Sequence, residues 1–98
     1  MDDNNNTQYE GLLSALKIDL GISSDVYNNR LLERLTVAAE RITALGITLT
    51  ESPGDNDLVL MYAAWLWRSR VTQAPMGRML QLALHNRLFG EKAREAET

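Results

Sequence analysis

The sequence has no cysteine, a single histidine and no long hydrophobic segment. Without cysteine there is no disulfide framework, thiol nucleophile or thiolate metal ligand, which fits a reducing compartment. The longest apolar run, residues 58–67, is ten residues long, whereas a helix needs about 20 to span a bilayer. The acidic, polar N-terminus is the opposite of a secretory signal. We therefore expect neither a disulfide-stabilised domain nor a membrane protein.

Acidic residues are missing from one continuous part of the chain. Residues 58–90 contain no Asp or Glu and have a charge of +4, carried by Arg68, Arg70, Arg78 and Arg87. Residues 1–57 hold ten acidic and four basic side chains, a net charge of −6, and the whole chain has −3. A small acidic protein with one basic, apolar half is suited to binding another macromolecule.

Residues that could support catalysis are scarce. His85 has no Ser, Cys or Asp close to it in the sequence, so we interpret it as a surface or interface residue. Asp55 and Asp57 lack the further oxygen ligands of a metal loop, and helix capping explains them better. There is no glycine-rich phosphate loop. We expect a protein that is not an enzyme and that binds no metal or cofactor.

Helical periodicity runs through most of the chain and predicts one all-α domain of about four helices over residues 9–90. We expect the polar residues 1–8 to be a disordered lead and the charged residues 91–98 to be a tail that frays.

The first half of the domain is predicted to hold two helices. The first begins near Tyr9 and ends at Gly21. The second spans roughly 24–45, with Ser23 or Ser24 as its N-cap, and ends at Gly46 in a Schellman motif.

A short extended connector, residues 47–50, is expected to join the second helix to the third. A type II turn over residues 52–55 follows, and Asp55 or Asn56 is predicted to cap the third helix. That helix, residues 56–71, is apolar on all sides over its first ten residues, which predicts a central position in the core.

The fourth helix is predicted over residues 75–89, with Pro75 at its first position. It has two apolar faces, and the second one consists of Met79, Leu82 and Phe89. Two alternatives stay open for this second face. The tail or the connector covers it, or it is a contact between subunits.

Arg87 lies within the first apolar face of the fourth helix. An arginine there must extend outward to solvent, pair with an acid or cross an interface. Glu33 and the other acids of the N-terminal half are its candidate partners, in the same subunit or in the next one.

Four stretches of the chain together resemble a known family. The most distinctive is Tyr-Ala-Ala-Trp-x-Trp-Arg-x-Arg, within residues 57–70; the others are residues 28–38, Gly46-Ile47-Thr48-Leu49, and residues 75–89 with Leu84-His85-Asn86-Arg87-Leu88-Phe89 near their end. They are similar to the head–tail connector, or head-completion adaptor, proteins of long-tailed bacteriophages and prophages. His85 stands where that family often has a second Asn.

The resemblance implies a helical structural protein that forms a homo-oligomeric ring on the portal protein of the virion. Such a ring is assembled in the bacterial cytoplasm, encloses DNA without reading its sequence, and seats a tail-side completion protein. The resemblance implies no catalytic activity, no cofactor and no membrane. The hypothetical interface in this chain comprises Met79, Leu82, Phe89, Arg68, Arg70, Arg78 and Arg87.

Two other functions stay open. One is a phage DNA-binding helical module, such as a small packaging subunit, although a recognition helix needs more polar and basic residues than the fourth helix offers. The other is a helical protein-interaction module that forms no ring.

Overall fold

Four α-helices and no strand are found in the described residues of this computed structural model, which confirms the all-α prediction. The structure describes the backbone of residues 3–97 and the side chains of residues 9–94. The helices are α1 (Asp3–Leu20), α2 (Asn28–Ala44), α3 (Pro53–Thr72) and α4 (Arg78–Glu97). α1 begins at Asp3, earlier than the predicted start near Tyr9. The prediction of disorder for residues 1–8 and that of fraying for the end of the tail, residues 95–98, stay predictions.

The end of α1 agrees with the prediction. Gly21 has a φ of 73°, a conformation that glycine adopts at little cost. Its N–H donates to the Ile18 carbonyl at 3.2 Å, and the Ile22 N–H donates to the Lys17 carbonyl at 2.9 Å. These two bonds form a Schellman motif, which satisfies carbonyls that the helix itself leaves free.

The predicted start of α2 is wrong, since the helix begins at Asn28 and not near residue 24. Ser24 accepts a hydrogen bond from the Val26 N–H at 3.1 Å, and Asp25 binds the Lys17 ammonium at 2.7 Å. Both side chains therefore stabilise the turn that precedes the helix. A local side-chain bond of this kind competes with helix formation.

The end of α2 is only partly as predicted. Gly46 has the expected positive φ, 105°, and its N–H donates to the Thr43 carbonyl at 3.0 Å. The Leu45 N–H bonds to the Ile42 carbonyl at 3.1 Å, so the helix closes in a tightened last turn. Residues 47–50 then form the extended connector that the alternation predicted.

The prediction for the start of α3 is also wrong. The N-cap is Ser52, whose hydroxyl accepts from the Asp55 N–H at 3.3 Å, and Pro53 is the first helical residue. Proline suits this position because its missing N–H would have no partner there. Asp55 and Asn56 lie within the first turn, and no type II turn precedes them.

The last helix begins later and runs further than predicted. Gln73 ends α3 in the left-handed conformation, with φ at 56°, and residues 73–77 form a loop that includes Pro75. α4 therefore starts at Arg78 and not at Pro75, and it continues beyond residue 90. Glu91, which we assigned to the tail, is buried.

The core confirms that α3 is the central helix, because it packs against each of the other three. Every residue from 58 to 67 is buried or half-buried. Burying one Leu or Ile side chain completely contributes roughly 1.5–3 kcal/mol. The largest fully buried side chains around α3 are Leu16, Leu31, Leu35, Ile42 and Ile47.

Candidate interaction surface

An apolar strip on α4 faces away from the core. Met79, Leu82 and Phe89 are 76%, 53% and 77% exposed, whereas Leu80 and Leu84 on the opposite side of the helix are buried. Neither the connector nor the described part of the tail covers the strip. Exposed apolar side chains that cluster on one face are typical of interaction sites. We call Met79, Leu82 and Phe89 the α4 strip.

A row of cationic or titratable residues borders the α4 strip. Arg78, His85 and Lys92 are all exposed and lie seven residues apart. Seven residues make almost two turns of an α-helix, so the three side chains leave the helix in nearly the same direction. The outer surface of α4 therefore combines large apolar side chains with a positively charged edge.

Arg87, which the sequence analysis included in the hypothetical interface, does not lie on this outer surface, because its guanidinium is paired within its own chain. Its Nε lies 2.8 Å from Asp55 Oδ1, and its Nη1 lies 2.8 Å from Glu91 Oε1. Its Nη2 donates to the Thr48 carbonyl at 2.7 Å. Of the three alternatives for this arginine, pairing with an acid is the one observed, and Glu33 is not its partner.

Asp55 is the buried centre of this group, which we call the Arg87 clasp (Thr48, Thr50, Asp55, Arg87 and Glu91). Its residue exposure is 5%, and it accepts hydrogen bonds from the Thr50 N–H at 2.8 Å and the Thr50 hydroxyl at 2.9 Å. The hydrogen bond from Arg87 is the main cause that lowers the pKa of Asp55 to about 2. Arg87 likewise lowers the pKa of Glu91.

The clasp joins three parts of the chain, namely the connector, the first turn of α3 and the second half of α4. The sequence predicted a partner for Arg87 among the acids of the N-terminal half, which include Asp55. It missed Glu91 as the second partner. The spacing of Arg87 and Glu91, four residues apart on one helix, was a signal for that pair. Nothing in the sequence singled out Asp55 among the acids of the N-terminal half, because it lies 32 residues from Arg87.

Arg68 and Arg70 both make contacts within their own chain. One Nη of Arg68 donates to the Asp19 carbonyl at 3.1 Å, which ties α3 to the end of α1. The guanidinium of Arg70 lies 3.7 Å from the centre of the Trp67 ring and donates to the Trp67 carbonyl. Among the described residues, Arg78 has no ion-pair partner. Of the four arginines in the hypothetical interface, Arg78 is therefore the one that lies beside the α4 strip. No described side chain neutralises its charge.

The aromatic residues of α3 serve packing. The Trp65 indole N–H donates to the Ala74 carbonyl at 3.2 Å, and Tyr62 meets the Trp65 ring edge-on at 5.5 Å. Trp67 is buried and contacts Tyr27 in the same way. These contacts satisfy the polar edge of Trp65 and fix the loop that leads into α4.

The described residues contain no cluster of His, Cys, Asp and Glu that could hold a metal ion. In the same part of the chain, no helix combines the length and the apolar character needed to cross a bilayer. Comparison with protein-family models, curated proteins and solved structures finds no match to this chain.

Proposed function

We propose that this chain is a head–tail connector subunit of a long-tailed bacteriophage or prophage. Copies of it form a ring on the portal protein, and the ring presents a seat for a tail-side completion protein. The subunit has a structural role, without catalysis and without a cofactor. Its place is the virion, after assembly in the bacterial cytoplasm.

The observation that carries this proposal is the exposed α4 strip. Two of its three side chains are more than three-quarters exposed, whereas the first apolar face of α4, with Leu80 and Leu84, is buried. Contact with another protein chain would remove this apolar surface from water and supply the driving force for assembly.

The distribution of charge supports association between identical copies. The α4 strip lies in the segment of charge +4, and the acidic residues lie mostly before residue 58. Contacts between two different surfaces of one chain are heterologous, and they generate a closed ring when the rotation between subunits allows it. Complementary charge would set the register of such contacts.

Electron microscopy and mass measurement of the assembly test the proposal. The purified chain is studied over a range of concentrations, alone and with a portal protein from the same genome, by negative-stain microscopy and by mass measurement. We expect ring-shaped particles at least on the portal. A monomer or dimer that is independent of concentration in both conditions would contradict the proposal and favour a non-ring interaction module.

The DNA-binding alternative has its own signature. Binding of duplex DNA whose affinity falls steeply with salt would indicate extensive phosphate contacts. A chain of net charge −3 should show little such binding.

A further inference from the structure

A trough lies along the connector and is lined by residues of α1, α2 and the start of α3. Two adjoining grooves of about 660 and 420 Å³ form it, and they share Tyr9 and Leu49. Its base is apolar, because Ala39 and Ile47 are buried and Tyr9 and Leu49 are half-buried. We call these grooves the connector trough; further lining residues are Leu12, Thr36, Glu40, Thr43, Thr48 and Glu51.

The charge of the connector trough is negative. Glu40 and Glu51 line it and are exposed, and no Lys or Arg is among the described lining residues. Burial, with a smaller contribution from Glu40, raises the pKa of Tyr9. A cationic side chain placed at the edge of the trough would lie beside Glu40 and Glu51, for which the described side chains provide no ion-pair partner.

The outer surface of α4 is complementary to this trough. The α4 strip supplies apolar side chains for the base, and Arg78 and Lys92 supply positive charge for the rim. Between residues 78 and 90 α4 has no acidic residue to oppose Glu40 or Glu51. Opposite potentials on two surfaces fix the register in which those surfaces dock.

The α4 helix of the same chain is not the occupant of the trough. The Arg87 clasp holds it against the connector and α3, with Leu80 and Leu84 facing inward. In that position the α4 strip points to solvent. An α4 strip that fills the trough must therefore come from another copy of the chain.

We propose that the connector trough receives the α4 strip of a second copy of this chain. The trough of each copy stays free when its own strip is docked, so the contact is heterologous and extends from copy to copy. This inference rests on the proposed function, because it names the two surfaces through which ring subunits would bind one another.

Engineered cysteines test the pairing directly, because the natural chain has none. Phe89→Cys and Thr43→Cys place one thiol on the α4 strip and one in the trough, both at exposed positions. Under mild oxidation, we expect a mixture of the two variants to form mixed dimers. The control mixture pairs Phe89→Cys with Ser23→Cys, which lies in the loop after α1 and does not line the trough.

Charge reversal supplies the second test. Glu40→Arg is added to the Thr43→Cys variant, or Arg78→Glu to the Phe89→Cys variant. Either change should lower the rate of cross-linking by at least about tenfold, since like charges then meet. Combining the two charge reversals should restore the rate of cross-linking. Glu33→Arg makes the same charge change on the same helix, about 10 Å before Glu40, and should leave cross-linking unchanged.

The outcomes separate this inference from the proposed function. Rings on the portal without a cross-link between Phe89→Cys and Thr43→Cys would overturn the trough contact and leave the ring proposal intact. A specific, charge-sensitive cross-link without rings would support the trough contact and contradict the ring. If Phe89→Cys cross-links equally to Thr43→Cys and to the Ser23→Cys control, the trough contact is overturned as well.

Discussion

Arg87 binds two carboxylates and a backbone carbonyl at the junction of α4, the connector and α3. Only 18% of its side chain is exposed, and the carboxylate of Asp55 is still less exposed, at 6%. Desolvating two charges costs energy that their attraction must offset. Loss of one partner is therefore costly, because the other charge is left buried without compensation.

Arg87→Met should lower the free energy of unfolding by about 2–3 kcal/mol at neutral pH, because it leaves Asp55 buried without a cation. Urea denaturation followed by circular dichroism measures this loss. The double variant Asp55→Asn with Arg87→Met should lose less than Arg87→Met alone, since the orphaned charge is then gone. Equal stability of Arg87→Met and the wild type would show that the clasp contributes no net energy.

The clasp also predicts how stability depends on pH. Asp55 has a folded-state pKa of about 2 and an ordinary value of 3.8, so the folded state favours its ionised form. Asp55 therefore makes its full contribution to the free energy of unfolding above pH 4 to 5, and this contribution is lost as the pH falls toward 2. Allowing for solvent screening, the loss amounts to about 1–2 kcal/mol.

Unfolding free energies at several pH values between neutral and 2 measure this dependence. Asp55→Asn should remove much of the decline, because the amide does not titrate. An unchanged slope in that variant would assign the acid sensitivity to other carboxylates.

At the scale of elements, helix boundaries depend on which polar side chain caps the first turn. Ser52, Asp55 and Asn56 are all residue types that cap helices, and the sequence alone does not rank them. The fold selects Ser52, because Asp55 is drawn into hydrogen bonds with Thr50 and Arg87. Pro53 then takes the first helical position.

Ser52→Ala should reduce the free energy of unfolding by about 1 kcal/mol, since it removes the acceptor of the Asp55 N–H. Asn56→Ala is the matched control and should change stability less, because the Asn56 side chain makes only a 3.5 Å bond to the Glu51 carbonyl. Thermal and urea unfolding compare the two. A larger loss for Asn56→Ala would mean that the helix begins where the sequence pattern predicted.

The α4 helix shows which features of an element a sequence predicts well. Its two apolar faces, half a turn apart, follow from the 3.6-residue period. The structure shows that one is buried and the other exposed, which the sequence left open. The predicted start of α4 at Pro75 is wrong because proline is common in loops as well as at the first position of helices. The Trp65–Ala74 hydrogen bond, which holds that loop, joins residues nine apart. The spacing of apolar residues does not predict such a bond.

At the scale of the whole molecule, α1, α2 and α3 pack against one another, and α4 packs mainly on α3. The radius of gyration is 14.0 Å, whereas a compact domain of about 100 residues has about 13 Å. The peripheral position of α4 explains why its second apolar face meets no other helix among the described residues.

Phe89→Asp and Leu82→Asp should abolish assembly on the portal and leave the folded subunit intact. Both side chains are exposed, so helicity should be retained and the free energy of unfolding should change by no more than about 0.5 kcal/mol. Circular dichroism, urea unfolding and negative-stain images measure these effects.

Ile18→Asp is the control for the α4 strip, since Ile18 is 79% exposed but lies on α1. That variant should assemble as the wild type does. Unfolding of the subunit by Phe89→Asp would instead show that the α4 strip belongs to the core.

The all-α class, the central position of α3, the extended connector and the two faces of α4 were all predictable from the order of the amino acids. Each of these follows from the local spacing of apolar residues, which acts before any helix has packed. The partners of Arg87, the cap of α3 and the acidic trough beside the connector emerged only from the packed helices. Those features join residues far apart in the chain, and their energy depends on burial that exists only once the helices have packed.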